Sequence, residues 1–403
     1  MKILFVSQYF YPENFKGNDI VFDFIKKGYE ITVLTGKPNY PSGKFHSGYN
    51  FFNKNNENIR GVNVIRVPVF PRKSGKGFFL ALNYISFVFF SFWAVLFRLN
   101  EKYDAIFVQQ LSPVTMALPG LWVRKRQKTP LILWVLDLWP ESISASSNIK
   151  EGFIIDFIEK LVKKIYNNSD VILASSEFFK KSILEKCEDK NKKIEYFPNW
   201  AEDVFVKEKQ YIYVPSLPKG FNIMFAGNIG ESQDFESILK AAELTEKYKI
   251  NWIIVGDGRK VSWIKKEIIK KQINNVYLLG RHKLASMPSF FEKADAMLVS
   301  LKNEPIFSLT VPAKIQAYMA SSKIIVGMLN GEGNILINKS KCGYAVAAAD
   351  AKLLADKCVE LSKLSDEAKL QMEKNSYNCY LEHFTKEKLF LKLDKIFQEL
   401  KHC

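Results

Sequence analysis

The sequence predicts an α/β protein with two doubly wound, Rossmann-like parallel-sheet domains that face each other across a cleft. Short apolar runs alternate with helical patterns along the chain, which is typical of parallel sheets. The length of 403 residues also exceeds what one hydrophobic core usually serves. Ligands of open parallel sheets bind beyond the carboxyl ends of the strands, so the functional site is expected in the cleft.

The first domain is predicted over residues 1–200. Each of its apolar runs is followed by a segment long enough for a crossover to the next parallel strand. The predicted strands are Ile3–Ser7, Ile31–Thr35, Val62–Val67, Ala105–Val108, Leu131–Val135 and Val171–Ala174.

A polar stretch with proline and lysine, around residues 201–220, is the predicted linker. The alternation restarts behind it, and residues 201–384 form the second predicted domain. Its predicted strands are Ile223–Ala226, Trp252–Val255, Val276–Leu279, Ala296–Val299, Ile324–Val326 and Gly343–Val346.

The composition indicates anionic partners in a reducing compartment. Lys and Arg exceed Asp and Glu by 58 to 42, which gives a formal net charge of +16. The basic surplus lies beside apolar segments without aromatic interleaving, so a membrane face is expected and nucleic acid is not. The cysteines and histidines show no metal-ligand spacing, so no metal site is predicted.

The apolar segment 78–99 is long enough, at about 33 Å if helical, to cross a bilayer. It lies between two predicted strands of one sheet, which a full span would separate. An ordinary crossover helix is the alternative, although the segment has almost no polar face. We therefore predict an interfacial helix of a monotopic protein on anionic lipid. The basic residues that flank this helix or the next are Arg72, Lys73, Lys76, Arg124, Lys125, Arg126 and Lys128.

Two segments follow strands of the first domain and are predicted to line the cleft. The loop after the first strand contains Glu13, Gly17 and Asn18, where Gly17 would let backbone approach a ligand and Asn18 could instead cap a helix. Asp137 follows the Leu131–Val135 strand, where its carboxylate could orient a ligand hydroxyl or cap the next helix.

In the second domain, glycines after the Ile223–Ala226 strand leave space for a diphosphate. Gly227 and Asn228 lie in this turn and Gln233 follows shortly. The pattern is not the fingerprint of a dinucleotide-binding domain, because the third glycine does not fall further into the helix.

A helix start after the Ala296–Val299 strand is the second predicted anion site. Thr310 or Val311 would cap this helix, with Pro312 in its first turn. Its free N–H groups and the Lys314 ammonium would hold a diphosphate. A capping motif without a ligand is the alternative.

The order of these segments resembles family 4 of the retaining GT-B glycosyltransferases over nearly the whole chain. More narrowly, it is similar to the L-fucosamine (N-acetylfucosamine) transferases of capsule and O-antigen assembly. The segments that carry the resemblance are MKILFVSQYFYPEN, ITVLTGKPNYPSG, WVLDLWPES, FPNW, FAGNIGESQDFESILKAAE, IIVGDG, the span from LLGRHKLASMPSF to VPAKIQAYMASSK, and NGEGN.

The resemblance implies retention of anomeric configuration without a metal or cofactor. It implies a UDP-sugar donor held mainly by the second domain, an undecaprenyl-diphosphate-linked saccharide acceptor, and a last helix, residues 385–403, that returns to the first domain. By position, Arg281 would lie beside the base, and Ser308, Thr310 and Lys314 around the phosphates, with Glu304 as a looser candidate. Asp137 and Lys314 are the expected catalytic residues, and no protein nucleophile is expected.

The chain departs from the family pattern at its charged positions. Leu309 and Ala317 stand where many members carry two donor-clamping glutamates, and Asn228 and Gln233 fall near the usual diphosphate-binding Arg and Lys. The histidine that often precedes the cleft aspartate is Leu136.

The resulting hypothesis is transfer of an N-acetylated amino sugar from a UDP-sugar to a lipid-linked saccharide at the cytoplasmic face of the inner membrane. A catalytically silent member that binds a glycan or scaffolds other enzymes is the alternative, because the glutamates are missing. A sugar-nucleotide epimerase of the same fold is a third interpretation.

Overall fold

The structure is a computed structural model that describes residues 1–73, 77–146, 152–206 and 212–401. The chain divides into two compact units. The first comprises Met1–Phe197 and Phe390–Cys403, and the second comprises Pro198–Leu389. The domain boundary predicted after residue 200 thus falls after Phe197, and the final segment joins the first unit from Phe390 rather than from residue 385.

An eight-stranded sheet forms the centre of the first unit, in the order β3-β4-β2-β1-β5-β6-β7-β8. All neighbouring strands are parallel except β3 and β4. The strands are β1 (Lys2–Val6), β2 (Glu30–Gly36), β3 (Asn56–Ile59), β4 (Val62–Val67), β5 (Ala105–Gln110), β6 (Leu131–Val135), β7 (Val171–Ala174) and β8 (Ile194–Tyr196).

The six strands predicted for this unit are confirmed, and two short strands at the sheet edges were not predicted. The side chains of β3 and β8 are exposed or half-buried, so neither strand contains a run of buried apolar residues. Edge strands are covered on fewer sides, and their sequences therefore lack the signal that marks central strands.

The first unit also contains helices that connect these strands. They are α1 (Lys16–Lys26), α2 (Gly77–Phe97), α3 (Leu118–Gln127), α4 (Glu141–Ser146), α5 (Phe153–Asn167) and α6 (Glu177–Lys186), with a 3₁₀ turn over Val114–Ala117.

The second unit is built on a six-stranded parallel sheet in the order β11-β10-β9-β12-β13-β14. All six predicted strands are confirmed. They are β9 (Phe221–Asn228), β10 (Ile250–Asp257), β11 (Val276–Gly280), β12 (Ala296–Ser300), β13 (Ile325–Met328) and β14 (Gly343–Val346). The helices that follow in the chain are α7 (Asp203–Val206), α8 (Phe235–Thr245), α9 (Val261–Lys271), α10 (Met287–Glu292), α11 (Pro305–Ser308), α12 (Ala313–Ala320), α13 (Glu332–Ser340), α14 (Ala351–Ser362), α15 (Asp366–His383) and α16 (Lys386–Lys401), with 3₁₀ turns over Glu246–Tyr248 and Leu284–Ser286.

The end of α16 packs on the sheet of the first unit through aromatic contacts. The Phe397 ring lies 5.4 Å from the ring of Phe24 and 6.1 Å from that of Phe107, and Phe390 also contacts Phe24. Phe390 and Phe397 are 4% and 1% exposed, so they belong to the core of this unit.

Helix α2 packs on its sheet with its few polar side chains inward. Asn83, Ser86 and Ser91 are buried, whereas Ile85 and Phe97 are 65% and 67% exposed. A crossover helix normally buries its apolar stripe and exposes its polar one, so α2 is inverted. By length and hydropathy α2 could cross a membrane. The strands before and after it, β4 and β5, nevertheless lie in one sheet.

Two of the inward polar side chains of α2, Asn83 and Ser86, are held by hydrogen bonds. Asn83 accepts from Gln8 Nε2 at 2.8 Å and donates to the Phe70 carbonyl at 2.6 Å. The Ser86 hydroxyl accepts from the Phe70 N–H at 3.0 Å. These bonds satisfy buried polar groups and thereby fix which face of α2 points outward.

Two of the basic residues expected on lipid have structural partners instead. Arg124 forms an ion pair with Asp170 at 2.8 Å, and Arg126 donates to the carbonyls of Val95 and Leu99 at the end of α2. The helix end thereby gains donors for its free carbonyls. Lys76 lies outside the described residues.

A buried ion pair joins β4 to the edge strand. Arg66 has a fully buried side chain, pairs with Glu57 at 2.5 Å and donates to the Tyr11 carbonyl at 2.6 Å. A buried guanidinium needs such partners, because an unpaired charge in the interior is costly.

We expect Glu57→Gln to lower the free energy of unfolding by about 3 kcal/mol, because it leaves the Arg66 charge buried without a counter-ion. Urea unfolding measures the change. The matched control is Glu30→Gln, whose carboxylate is 74% exposed in its pair with Lys2, and which should cost less than about 1 kcal/mol. Equal losses in the two variants would contradict this role of the pair.

Candidate functional site

Asp137 lies at the carboxyl end of β6 and is held by hydroxyl groups. Its Oδ2 accepts from Ser112 and its Oδ1 from Ser142, while Gln110 Nε2 donates to its main-chain carbonyl at 2.9 Å. Trp139 Nε1 in turn donates to the Ser112 hydroxyl at 3.2 Å. Its carboxylate is therefore oriented by side-chain hydroxyls, one of them on Ser142 in the first turn of α4.

A chain of polar groups leads from this edge to α2. Arg72 Nη1 donates to the Tyr9 hydroxyl at 3.4 Å, and Tyr9 interacts electrostatically with Tyr84 of α2. The pKa of Tyr84 is raised, mainly by burial. The positive charge of Arg72 lowers this pKa, and the negative charge of Asp137 adds to the rise. Tyr9, Arg72, Tyr84 and Asp137 therefore form one cluster at the carboxyl edge of the sheet, and we call it the Arg72 cluster.

Glu13 is nearly fully buried and orders the loop after β2. Its Oε1 accepts from the backbone N–H groups of Asn39 at 2.7 Å and Tyr40 at 2.6 Å, while Oε2 is buried without a partner among the described residues. Burial raises the pKa of Glu13 to about 7, against the lowering by these hydrogen bonds. The hydrogen bonds of its carboxylate within the described residues are thus to the protein backbone.

Gly17 and Asn18 are occupied by contacts within the first unit, and their ligand roles stay predictions. Asn18 uses both ends of its amide inside the loop, accepting from the Tyr11 N–H at 3.1 Å and donating to the Glu13 carbonyl at 2.7 Å. Gly17 is buried in α1, where a Cβ would lie 2.2 Å from Oε1 of Gln109. The N-cap of α1 is Phe15, so Asn18 is not a cap either.

In the second unit, the Lys314 side chain lies over the turn at the end of β9. A Cβ on Gly227 would lie 2.9 Å from Cε of Lys314, and the Gly227 φ of +134° also disfavours other residues. The Lys314 ammonium lies 3.5 Å from the centroid of the Phe225 ring. No carboxylate pairs with it among the residues described, and burial lowers its pKa to about 7.

The helix that carries Lys314 begins later than predicted. Pro312 is the N-cap residue, and Thr310 uses its hydroxyl to donate to the Phe307 carbonyl at 3.1 Å. Thr310 and Val311 are therefore not caps, because a separate short helix, α11, ends just before them. No side chain caps α12, which leaves its first N–H groups available to an anion.

Ser308 lies against the turn before α13. Gly331 has φ of +72°, and a Cβ there would lie 1.8 Å from the Ser308 carbonyl oxygen. The two turns are in contact, and only glycine permits the approach. The sequence indicated this glycine only as part of the NGEGN segment.

Gln233 is used by the turn after β9 and is not a free ligand group. Its Oε1 accepts from the Gly230 N–H at 3.0 Å and its Nε2 donates to the Ser232 hydroxyl at 2.9 Å, and its binding role stays a prediction. Asp234 caps α8 by accepting from the Ser237 N–H. A carboxylate at this helix start disfavours a phosphate there, in contrast to the start of α12. Asn228 is exposed beside this turn.

Arg281 and Glu304 are exposed at the ends of their segments. Arg281 follows β11, and Glu304 is the N-cap residue of α11 without a side-chain cap bond. In the part of the chain that the structure describes, no hydrogen bond or ion pair joins either residue to Lys314. Their ligand roles stay predictions.

Comparison with known proteins identifies the family to which this chain belongs. Residues 24–200 match the family described as "Glycosyl transferase 4-like domain", and residues 220–363 match "Glycosyl transferases group 1". The chain belongs to the GT-B glycosyltransferases of the family 4-like type.

Named relatives agree with this assignment. The glycosyltransferase is 27% identical over 270 residues to WbjE of Pseudomonas aeruginosa, a match that covers 64% of this chain and 66% of WbjE. WcaI of Escherichia coli K12, whose name refers to colanic acid biosynthesis, is 22% identical over 73% of this chain and 74% of its own. The structure of HepE from Anabaena with UDP and glucose has a TM-score of 0.66 at 14% identity, covering 99% of this chain and all of HepE.

Sequence reasoning missed three members of the Arg72 cluster in this glycosyltransferase. Tyr9 follows β1 directly, so its position after a strand was an available signal. Arg72 was interpreted only as a lipid contact, and Tyr84 lies inside the apolar segment. These residues come from separate segments, and folding alone brings their side chains together.

The unpaired Lys314 should destabilise the unliganded glycosyltransferase. Its folded pKa of about 7 lies below the ordinary value of 10.5, so the unfolded chain binds more protons between these limits and stability rises with pH there. We expect Lys314→Met to raise the melting temperature at pH 7 and below, with the gain shrinking towards pH 10. Melting curves of both proteins across this range would contradict the idea if the difference were absent or independent of pH.

Proposed function

We propose that this glycosyltransferase moves an N-acetylated amino sugar, N-acetyl-L-fucosamine being the first candidate, from a UDP-sugar to an undecaprenyl-diphosphate-linked saccharide during synthesis of a capsule or O-antigen polysaccharide. The observation that carries the proposal is the unpaired Lys314 ammonium at the uncapped start of α12, over Gly227. HepE with bound UDP supports a nucleoside diphosphate donor, and the name of WcaI supports a polysaccharide product. The identity of the sugar rests on the resemblance to the fucosamine transferases.

Lys314 and α12 would stabilise the leaving group. Departure of UDP leaves negative charge on its terminal phosphate, which the ammonium and the free N–H groups of α12 can bind. Gly227 lets the Lys314 side chain lie over this turn, because a side chain at residue 227 would meet Lys314. Such a site replaces the arginine and lysine that this chain lacks at Asn228 and Gln233.

Asp137 would orient the hydroxyl of the acceptor. The two serine hydroxyls that donate to it limit its rotation, which is the preorganisation that a positioning carboxylate needs. We assign no protein nucleophile and no metal. Retention of the anomeric configuration then requires that UDP leaves and the acceptor hydroxyl enters on the same face of the sugar.

We also propose a peripheral, monotopic location at the cytoplasmic face of the inner membrane. The inverted packing of α2 supports it, because the outward residues of α2 are aromatic and aliphatic while its polar residues bond inward. An apolar patch of this kind on a water-exposed surface calls for a partner, and a lipid surface is the one its length and composition suit.

The direct test incubates the purified glycosyltransferase with a panel of UDP-sugars and a lipid-linked saccharide acceptor. Transfer from at least one UDP-amino sugar is expected. Slow hydrolysis of a UDP-sugar without transfer would already exclude the alternative of a catalytically silent protein that only binds a glycan or scaffolds other enzymes. No transfer from any donor together with no UDP binding by calorimetry would overturn the proposal.

We expect Lys314→Gln to weaken UDP binding about 10- to 100-fold, the effect of losing a charged hydrogen-bond partner. In the native protein, UDP affinity should fall as the pH rises above about 7, because Lys314 then loses its proton. The variant should lack this part of the pH dependence. Lys240→Gln removes an ammonium that is 59% exposed on α8 and is the matched control. Equal affinity in all three proteins would remove Lys314 from the site.

Replacing Ile85, Phe89 and Phe97 together by serine should lower partition into anionic vesicles at least 10-fold. These side chains are 65%, 55% and 67% exposed on α2, and each apolar side chain contributes about 1.5 kcal/mol or more when transferred from water. The control is Ile269→Ser on α9, whose side chain is 78% exposed. Vesicle flotation measures partition, and unaltered flotation of the triple variant would contradict the membrane role.

A further inference from the structure

Arg72 is a half-buried arginine held in place by neutral groups. Its guanidinium lies 5.2 Å from the centroid of the Tyr40 ring and donates to the Tyr9 hydroxyl at 3.4 Å. Its backbone N–H donates to Oδ1 of Asn39 at 3.3 Å. The aromatic neighbours and the backbone bond restrict the side chain, and its position is therefore largely set before any ligand binds.

The charge of Arg72 has no counter-ion within the described parts of the first unit. The other half-buried or buried arginines of this unit have acidic or carbonyl partners: Arg66 pairs with Glu57, and Arg124 with Asp170. Arg72 has only a phenol hydroxyl and an aromatic ring. A partly desolvated guanidinium without a carboxylate is unfavourable by itself and is well suited to bind a planar pair of anionic oxygens.

The hydroxyls beside Arg72 extend this anion site. Tyr9 is 4% exposed, and Tyr84 reaches it from the inner side of α2. Phenol hydroxyls can donate to phosphate oxygens, and a guanidinium with two phenols supplies several donors. The negative charge of Asp137 also acts on Tyr84, and Asp137 is where the acceptor hydroxyl is proposed to lie.

The position of Arg72 in the chain connects it to the apolar face of α2. Lys73, the next residue, has its ammonium 3.8 Å from the centroid of the Phe79 ring, and Phe78 is 73% exposed at the same helix start. A lipid whose chain lies along the outer side of α2 would therefore carry its head group to the segment that holds Arg72.

We propose that Arg72, with the hydroxyls of Tyr9 and Tyr84, binds the diphosphate of the lipid-linked acceptor. This inference rests on the proposed function and assigns the acceptor's charged group to the first unit, apart from the donor diphosphate on Lys314. The diphosphate sits at one end of the Arg72 cluster and the acceptor hydroxyl at the other, beside Asp137.

The kinetic test compares Arg72→Gln with the native enzyme on two acceptors in detergent: a polyprenyl-diphosphate saccharide and an alkyl glycoside of the same saccharide without phosphate. The KM for the diphosphate acceptor should rise about 10- to 100-fold, as expected for a lost charged contact. The KM for the UDP-sugar and the KM for the alkyl glycoside should stay unchanged. Arg72→Lys should recover part of the loss, because it restores the charge but not the planar fork.

Arg60→Gln is the matched control, because Arg60 is also an arginine of the first unit stacked on a tyrosine, with its guanidinium 5.1 Å from the Tyr11 ring, but is exposed. It should leave all three KM values unchanged. An equal rise for both acceptors in Arg72→Gln would mean a structural role, and no rise for the diphosphate acceptor would overturn the assignment.

Direct binding separates this inference from the proposed function. Calorimetry with farnesyl diphosphate and with inorganic pyrophosphate reports the anion site even if no glycosyl transfer is found. Binding of farnesyl diphosphate that Arg72→Gln weakens and Lys314→Gln does not is the expected result. Loss of farnesyl diphosphate binding only in Lys314→Gln, or binding unaffected by either variant, would overturn the site. Tighter binding of pyrophosphate than of farnesyl diphosphate would assign the site to a free anion rather than to the lipid.

Discussion

The first unit depends on how α2 meets its sheet. A helix of this composition would bury any of its sides with similar gain, since apolar residues surround it. The hydrogen bonds of Asn83 with Gln8 and the Phe70 carbonyl select one orientation, because those polar groups would be costly if buried without partners. The aromatic outer surface, the placement of Tyr84 and the approach of Arg72 to Tyr9 all follow from that choice.

Among the described residues, Lys314 and Arg72 are two cations without a carboxylate partner, each at the carboxyl edge of the sheet of its unit. Lys314 lies over a glycine turn and an aromatic ring, and Arg72 over a tyrosine ring. Elsewhere, buried charges such as Arg66 are neutralised inside the fold. The cost of leaving a partly buried cation unpaired is offset when an anionic ligand binds, and such sites are where function commonly resides. Two anionic substrates, a nucleotide donor and a lipid diphosphate, would account for two such positions.

The departures from the family pattern have a local structural reason. Gln233 is tied to the turn after β9, and Asp234 caps α8, so the start of this helix is poorly suited to a phosphate. The proposed anion site lies instead at α12, whose start has no side-chain cap and carries Lys314. Loss of the usual basic residues and retention of a phosphate site are therefore compatible.

The sequence by itself determined the two parallel sheets, because buried central strands must be runs of apolar residues whatever their neighbours are. It also placed Asp137 after a strand and Lys314 near a helix start. Only the tertiary structure decided which polar residues remain available: Gln233 and Asn18 are consumed by turns, and Arg72 meets Tyr9 and Tyr84 across distant segments. The physical reason is that hydrogen bonds are short and directional, so the partner of a polar side chain is set by three-dimensional proximity, which local sequence patterns do not encode.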